Sequence, residues 1–592
     1  MMMSKYNNQT MKVLFTILIT GWMIPSLAHA QQAQQPNVII ILTDDQGYGD
    51  LGITGNPHVK TPFLDAFARE SARLNNFYVS PVCAPTRSSL LTGRYSLRTG
   101  IRDTYNGGAT MAASEVTIAE MLKQANYTTG IFGKWHLGDN YPSRPNDQGF
   151  DESVIHLSGG MGQVGDVTTW FKGDSSYFNP TLWHNGKQEA YKGYCSDVFA
   201  EQAVKFIENN RRSPFFCYLA FNAPHTPLQV PDKYYQMYKD IDPSTGFNDG
   251  RPFVPMSEKD KEDARRVYAM VTNIDDNVGK LLKKLDELKI ADNTIVIFMT
   301  DNGPQQNRYV AGMKGRKGDV YRGGVRVPLY LRYPAKLKGN KDVATTAAHI
   351  DILPTIAEAC GVAAPADRQI DGKSLWPLLR GEKIDWSERT LFFYWTRRYP
   401  ELYNNMALQK GPYKLVGKTN YNAPLEAFEL YNIEADPYEQ NNIIAGSKAI
   451  AAPLKSELDR TYRELITSEN LVNPPRIAVG SANENPVILN RNDADGERGI
   501  WAQEEIYGLW RVGIREGRYN IRFKFIQAVP GGGTLYLETG PIIQQMEVVG
   551  SATDMIEMKN VSLSQLDCDL TSFYAVNGRS IFPFYVELEK LD

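Results

Sequence analysis

Four oxygen-bearing residues stand in two pairs, Asp44-Asp45 and Asp301-Asn302. Each pair follows a run rich in β-branched residues, 36–43 and 294–300. Carboxylate and amide oxygens are hard donors, and a set of them without clustered Cys or His suits Ca²⁺ or Mg²⁺ better than Zn²⁺. Brought together without a cation, the carboxylates would repel one another at a cost. Taken singly, each pair would do no more than cap a turn. Asp44, Asp45, Asp301 and Asn302 are therefore candidate ligands of a divalent cation.

A second cluster is the segment Cys83-Ala84-Pro85-Thr86-Arg87, which runs on through Leu90-Leu91-Thr92-Gly93-Arg94. Pro85 suits the first turn of a helix and Leu90-Leu91 continue it. Cys83 would then sit at a helix N-terminus, where the dipole favours negative charge. Arg87, one turn on, can face the same site. On residue chemistry alone this is either an activated thiolate or a small buried cysteine beside a surface arginine.

Cations and imidazoles form a third group. Gly133-Lys134-Trp135-His136 puts Lys134 and His136 two residues apart, and Pro224-His225-Thr226-Pro227 holds His225 between prolines. Lys317 lies in the glycine-flanked loop Gly315-Arg316-Lys317-Gly318, close behind Asp301-Asn302. With Arg87 they would make an anion site beside a divalent cation, the arrangement that ester hydrolysis at a tetraoxo anion requires.

These residues need a scaffold, and the hydrophobic pattern supplies one. The runs 36–43, 214–221 and 294–300 are continuous and β-branched, as in strands buried on both faces. Between them lies helical periodicity, clearest over 262–289. Buried strands alternating with helices predict an α/β domain with a largely parallel sheet. Its ligand site is expected beyond the carboxyl ends of the strands, where both acidic pairs fall. Residues 241–258 read as a long loop, and 450–467 as a helix. After Asn473-Pro474-Pro475 the pattern becomes short alternating strands with turn signals, which predicts a C-terminal β-sandwich.

The chain has 592 residues, too many for one ordinary domain, and a formal net charge of −3. That balance does not suggest a partner among nucleic acids or membrane surfaces. Lys12, the apolar run 13–19 and Ala28-His29-Ala30 read as a signal peptide over residues 1–30. The run is too short to span a bilayer, so a secreted or periplasmic protein is expected. Five cysteines are too few for a disulfide scaffold.

The segment Cys-x-Pro-x-Arg followed by Leu-Thr-Gly-Arg resembles the signature of the type I, formylglycine-dependent sulfatases. The resemblance runs in order through Asp44-Asp45-Gln46-Gly47, the Cys83 segment, Gly133-Lys134-Trp135-His136, Pro224-His225, Asp301-Asn302-Gly303, and Lys317 before Gly323-Gly324-Val325-Arg326. It implies an alkaline-phosphatase-like three-layer sandwich with a smaller α+β subdomain. The expected divisions are 31–384 catalytic, 385–472 α+β and 473–592 β-sandwich. It implies that Cys83 is oxidised to Cα-formylglycine by a formylglycine-generating enzyme and joins Asp44, Asp45, Asp301 and Asn302 on Ca²⁺, with Mg²⁺ second. It further implies Arg87, His136 and His225 as catalytic groups, and Lys134 and Lys317 as holders of the sulfate oxygens. A further polar contact is expected after Gly149-Phe150-Asp151, from His156, Ser158 or Gln163.

The expected reaction is hydrolysis of a sulfate ester. Export and the added β-domain favour a sulfated glycan over a small aryl ester, with Trp170, Phe171, Lys172, Trp183 and His184 as candidates for a sugar subsite. The alternatives are a phosphomonoester or phosphonate hydrolase of the same superfamily and a non-catalytic sulfated-glycan-binding protein.

Overall fold

The run after Pro36 becomes the strand Asn37–Thr43, buried along its whole length, in a computed structural model that describes residues 35–247, 250–386, 389–496 and 503–592. The expected leader, residues 1–30, lies outside the described residues. The strand is part of a ten-stranded sheet. Its five central members are Thr294–Thr300, Asn37–Thr43, Phe215–Ala220, Thr128–Lys134 and Glu152–His156, in that spatial order and all parallel. Leu329–Arg332 and Thr181–His184 flank them antiparallel.

A continuous apolar run fits here because both faces are covered. Val38, Ile40 and Leu42 face one core, shared with the helices Cys83–Thr92, Ile118–Gln124 and Ile352–Cys360. Ile39 and Ile41 face the other, shared with Pro62–Arg69, Cys195–Asn210 and Glu258–Glu287. Each fully buried Ile or Val contributes roughly 1.5–3 kcal/mol. The result is three layers, helix on sheet on helix. The last of these helices starts at Glu258, ahead of the apolar periodicity at 262, because Ser257 and Asp260 form a reciprocal cap on a polar first turn.

Beyond the three layers, Thr390–Tyr394, Met406–Lys410, Tyr413–Gly417 and Glu429–Asn432 form an antiparallel sheet. One face takes Leu454, Leu458 and Leu465 of the helix Lys448–Ile466. Leu391, Phe393 and Val416 on the other face pack with Val320, Val325 and Ile350. The C-terminal strands make two further sheets over one shared apolar core. Their burial alternates along the chain, as in Gly508–Ile514 and Gly533–Thr539, which is the pattern of a sandwich.

Candidate active site

Register brings the acids together. Thr43 and Thr300 are partners in parallel strands, so Asp44 and Asp301 emerge side by side at the carboxyl edge. Asp301 N–H bonds the Thr43 carbonyl, and Asp45 N–H bonds Asp301 Oδ1 at 3.1 Å. Asn302 Nδ2 reaches Asp45 Oδ1 at 2.8 Å. On the other side Gly133 pairs with Ala220 and Lys134 with His156, which delivers both of these side chains to the same edge. Gly133 has φ +122°, and a Cβ there would lie 1.8 Å from the Ala220 carbonyl oxygen, so no larger residue fits.

The helix Cys83–Thr92 is buried over its whole length and begins with Cys83. The carboxylates it meets are already matched by cations. Arg87 Nη2 lies 2.9 Å from Asp301 Oδ2, Lys134 Nζ 2.5 Å from Asp44 Oδ2, and Lys317 Nζ 2.7 Å from Asp45 Oδ1. Burial acts to raise Asp44, but Lys134, His225, Arg87 and Lys317 outweigh it and hold the carboxyl well below the usual range. Asp301, raised by burial and by the neighbouring Asp44, is pushed up to about 7. Burial pushes the Cys83 thiol up, against the pull of Lys134 and Lys317. A thiol held protonated is a poor nucleophile, so the position at a helix N-terminus does not make Cys83 an activated thiolate.

The donor set fits a hard divalent cation. Ligand atoms of Asp44, Cys83 and Asp301 lie within 4.8 Å of one another, as do those of Asp44, Asp45 and His225. Asp44 Oδ1 and Asn302 Oδ1 are buried without any hydrogen-bond donor. Buried oxygens left bare cost about 1–3 kcal/mol each, a cost that a bound cation removes.

Above this cluster opens a pocket of about 390 Å³ lined by Cys83, His136, His225 and Lys317. His136 has φ 63°, and its Nε2 donates to the Thr104 carbonyl at 2.7 Å, leaving Nδ1 without a partner. His225 Nδ1 donates to the Thr226 carbonyl at 2.7 Å, and its Nε2 lies 3.7 Å from Asp45 Oδ2. Burial and then Lys134 drive His136 well below its ordinary value; burial and then Lys317 bring His225 down to about 4.

Not every candidate reaches this pocket. Lys134 lies in the charged cluster beneath it, fully buried. His156 is fully buried with both ring nitrogens unpaired and its ring tilted against Phe199. Ser158 lines a neighbouring cavity of about 540 Å³, whereas Gln163 lies on the pocket wall. The aromatic candidates for a sugar subsite are elsewhere. Trp170 and Phe171 pack on Phe584, just ahead of the last strand Tyr585–Lys590, Trp183 lines the neighbouring cavity, and His184 bonds Glu189. Lys172 Nζ bonds the Asn179 carbonyl.

The pocket also takes residues that no motif singled out. Thr104 and Tyr105 come from one loop, Trp395 and Arg397 from just beyond the strand Thr390–Tyr394, and Arg491 and Asn492 from the turn that follows the strand Val487–Asn490 in the C-terminal part. The one signal in the sequence was Trp395-Thr396-Arg397-Arg398, an aromatic and an arginine doublet directly after a strand end.

The family model described as Sulfatase matches residues 36–362, and one described as N-sulphoglucosamine sulphohydrolase, C-terminal, matches 316–465. An arylsulfatase of Hemicentrotus pulcherrimus is 32% identical over 421 residues, covering 66% of this chain and 69% of that protein. An N-acetylglucosamine-6-O-sulfatase of Bacteroides thetaiotaomicron is 27% identical over 518 residues, covering 73% of this chain and 87% of that protein. The crystal structure of Ps i-CgsB in complex with k-i-k-neocarrahexaose is 29% identical with a TM-score of 0.63, covering 74% of this chain and 94% of that one.

Proposed function

The chain belongs to the sulfatase family of sulfuric ester hydrolases, with its alkaline-phosphatase-like fold, and from that premise we propose that it removes sulfate from a sulfated carbohydrate through formylglycine made from Cys83. The observation that carries this reading is the convergence of Cys83, His136, His225 and Lys317 on one pocket, above Asp44, Asp45, Asp301 and Asn302.

A formylglycine-generating enzyme, using an external oxidant, converts the Cys83 side chain to an aldehyde with loss of its sulfur, and the aldehyde adds water to give a gem-diol. Asp44, Asp45, Asp301, Asn302 and the residue at position 83 would hold Ca²⁺, which would supply Lewis acidity toward the nucleophile and the sulfate. Arg87, paired with Asp301, orients the nucleophile. One hydroxyl of the hydrate gives up its proton to solvent and attacks sulfur as the bond from sulfur to the leaving oxygen breaks; His225 Nε2, bare while Nδ1 carries the ring proton, takes up a proton from solvent and passes it to that oxygen. The second hydroxyl then gives its proton to His136 Nδ1. The carbonyl re-forms and its former bond to the sulfate oxygen breaks, releasing sulfate. Support for these proton carriers comes from the opposite ring nitrogens, each fixed on a carbonyl oxygen, which leaves His136 Nδ1 and His225 Nε2 as the free acceptors that can take up a proton. Lys317 and Lys134 neutralise the sulfate charge, and Gln163 is the polar contact we favour over Ser158 and His156, because it lines the pocket.

We take residues 31–384 as catalytic, 385–472 as the α+β part completing the site and 473–592 as an added β-sandwich. The leader expected at 1–30 supports export to the periplasm or beyond. A phosphonate monoester hydrolase of Agrobacterium radiobacter shares the fold at 19% identity and a TM-score of 0.54, so phosphoryl esters are the competing substrates.

The test is release of sulfate or phosphate from a panel of sulfated mono- and oligosaccharides, aryl sulfates, phosphomonoesters and phosphonates. The protein is made with a formylglycine-generating enzyme, and mass spectrometry across Cys83 reports the conversion. Sulfate release that disappears in Cys83→Ala supports the proposal. Full turnover by Cys83→Ala, or faster turnover of phosphoryl esters, overturns it.

A further inference from the structure

The ionised side chains lining the pocket are Lys317, Arg397 and Arg491, and among the described residues no carboxylate lines it. Two of these cations are committed. Lys317 is paired with Asp45, and Arg491 spends donors on the carbonyls of Pro583, Gln503 and Phe582. Arg397 is different. Its Nη1 bonds Asp103 Oδ1 at 2.7 Å and Thr104 Oγ1 at 2.8 Å. Its Nε is buried with no partner, and its Nη2 makes no hydrogen bond among the described residues. Nε and Nη2 form one edge of the guanidinium, the edge that grips an oxyanion with two parallel bonds.

That edge is held in place. The guanidinium carbon sits 4.1 Å from the centre of the Tyr105 ring and 4.8 Å from that of Trp395, so two aromatic faces fix its plane. Asp103 is used up in building the loop: it accepts from Arg397, from the N–H groups of Thr104 and Arg398, and from Trp395 Nε1. Asn405 Nδ2 ties the carbonyl of Trp395 to that of Gly318, next to Lys317, at 2.7 and 2.6 Å. The loop bearing Arg397 is therefore locked to the loop bearing Lys317. Farther along the same loop, Arg398 joins Arg102 and Arg511 around a single carboxylate, Asp495.

We propose that Arg397 is an anion subsite beside the reacting centre, so that the substrate carries a second oxyanion, a sulfate or a carboxylate, in addition to the sulfate that is cleaved. This rests on the sulfatase reading of the pocket. A neutral sugar hydroxyl both donates and accepts, and is best met by mixed groups. A free guanidinium edge only donates, and a wall of cations without a carboxylate selects against neutral ligands in favour of anions.

The test compares kcat/KM of the formylglycine-bearing enzyme, Arg397→Gln and Arg397→Lys. The substrates are 4-nitrophenyl sulfate, a monosulfated N-acetylhexosamine, the same sugar with a second sulfate, and a disaccharide pairing it with a uronate. The wild type should prefer one or both of the doubly anionic substrates. Arg397→Gln should reduce that preference by about 10- to 100-fold, mainly through KM, and Arg397→Lys should keep part of it without the two-bond grip. The two doubly anionic substrates tell sulfate from carboxylate. Titration calorimetry of the same saccharides into Cys83→Ala, with and without Arg397→Gln, reads the subsite without turnover. A preference or binding constant unchanged in Arg397→Gln overturns the subsite, as does a wild type that treats singly and doubly anionic substrates alike. A wild type that cleaves no sulfate ester but still loses saccharide binding on Arg397→Gln overturns the sulfatase reading and leaves the subsite standing.

Discussion

Arg87 Nη2 sits 2.9 Å from Asp301 Oδ2 and 3.8 Å from Asp44 Oδ2, and none of these three side chains has any exposed surface. One buried cation thus serves both strand ends at once, while its Nη1 holds the Lys134 carbonyl at 3.1 Å. Removing it leaves charge without compensation where water cannot enter. Arg87→Met should lower unfolding free energy by about 3–5 kcal/mol and abolish turnover. Denaturant midpoints with and without Ca²⁺ measure the first effect; a loss below about 1 kcal/mol would refute a stabilising role for the pair.

Cation removal should also be visible in stability. Asp44 Oδ1 and Asn302 Oδ1 have no donor, and carboxylate oxygens of Asp45 and of Asp301 each lie within 4.8 Å of one of Asp44. A ligand at about 100 times its dissociation constant stabilises the fold by about 2.7 kcal/mol. Chelator should lower the melting temperature, and Ca²⁺ should restore it. Mg²⁺ should restore less, because it demands a near-ideal octahedron and gives up water reluctantly. Identical melting curves with chelator and with excess Ca²⁺ would rule out this site.

Much of the scaffold could be read from the chain, for a physical reason. Val38–Leu42 is apolar at every position because both sheet faces are covered, and Thr43 and Thr300 end in register, so the acids had to meet. Cys83 and Arg87 open a helix marked by Pro85 and Leu90-Leu91, and His136 and His225 lie a few residues beyond the ends of buried strands. Tyr105 and Asn492 carry no such signal, and Arg397 only its place behind the strand Thr390–Tyr394. They come from three distant loops whose meeting is fixed by packing of the antiparallel and C-terminal sheets. Trp170 and Phe171 misled in the opposite direction: aromatic rings near a sugar enzyme's site suggest stacking on substrate, but here they anchor Phe584. Ring type alone does not distinguish the two uses.

His349 should set part of the acid sensitivity. It is buried, its Nε2 is 3.0 Å from Ser80 Oγ, and its Nδ1 has no partner. Burial brings it down to about 3; the Tyr78 main chain opposes this and Arg389 adds to it. The unfolded chain takes up this proton below about pH 6.5, whereas the folded chain does not until near pH 3. The stabilisation is therefore complete above pH 6.5 and is lost as pH falls toward 3. Between pH 6.5 and 5 this one group accounts for about 2 kcal/mol. His136, His156 and His225 are lowered too and act with the same sign. His349→Gln should flatten the decline in urea midpoint over that window by one group's share, and an equally steep decline would exclude His349 as a contributor.

The acids Asp139 and Asp493 should act with the opposite sign. Asp139 N–H bonds Asp493 Oδ2 at 3.1 Å, Asn490 Nδ2 bonds Asp139 Oδ2 at 2.8 Å, and Asp139 Oδ1 is buried and bare. Burial pushes Asp493 up to about 6; burial and then Asp493 drive Asp139 well above the carboxylate range. Stability held by the protonated pair is present below about pH 4 and is lost as pH rises through 6. Asp139→Asn keeps the shape, still accepts from Asn490, and removes the charge. It should stabilise the protein by about 1–3 kcal/mol at pH 8 and by nearly nothing at pH 4. Thermal unfolding of the variant at both values decides the matter. Equal destabilisation at pH 4 and pH 8 would mean that the carboxylate is held by contacts that an amide cannot make, and not limited by its charge.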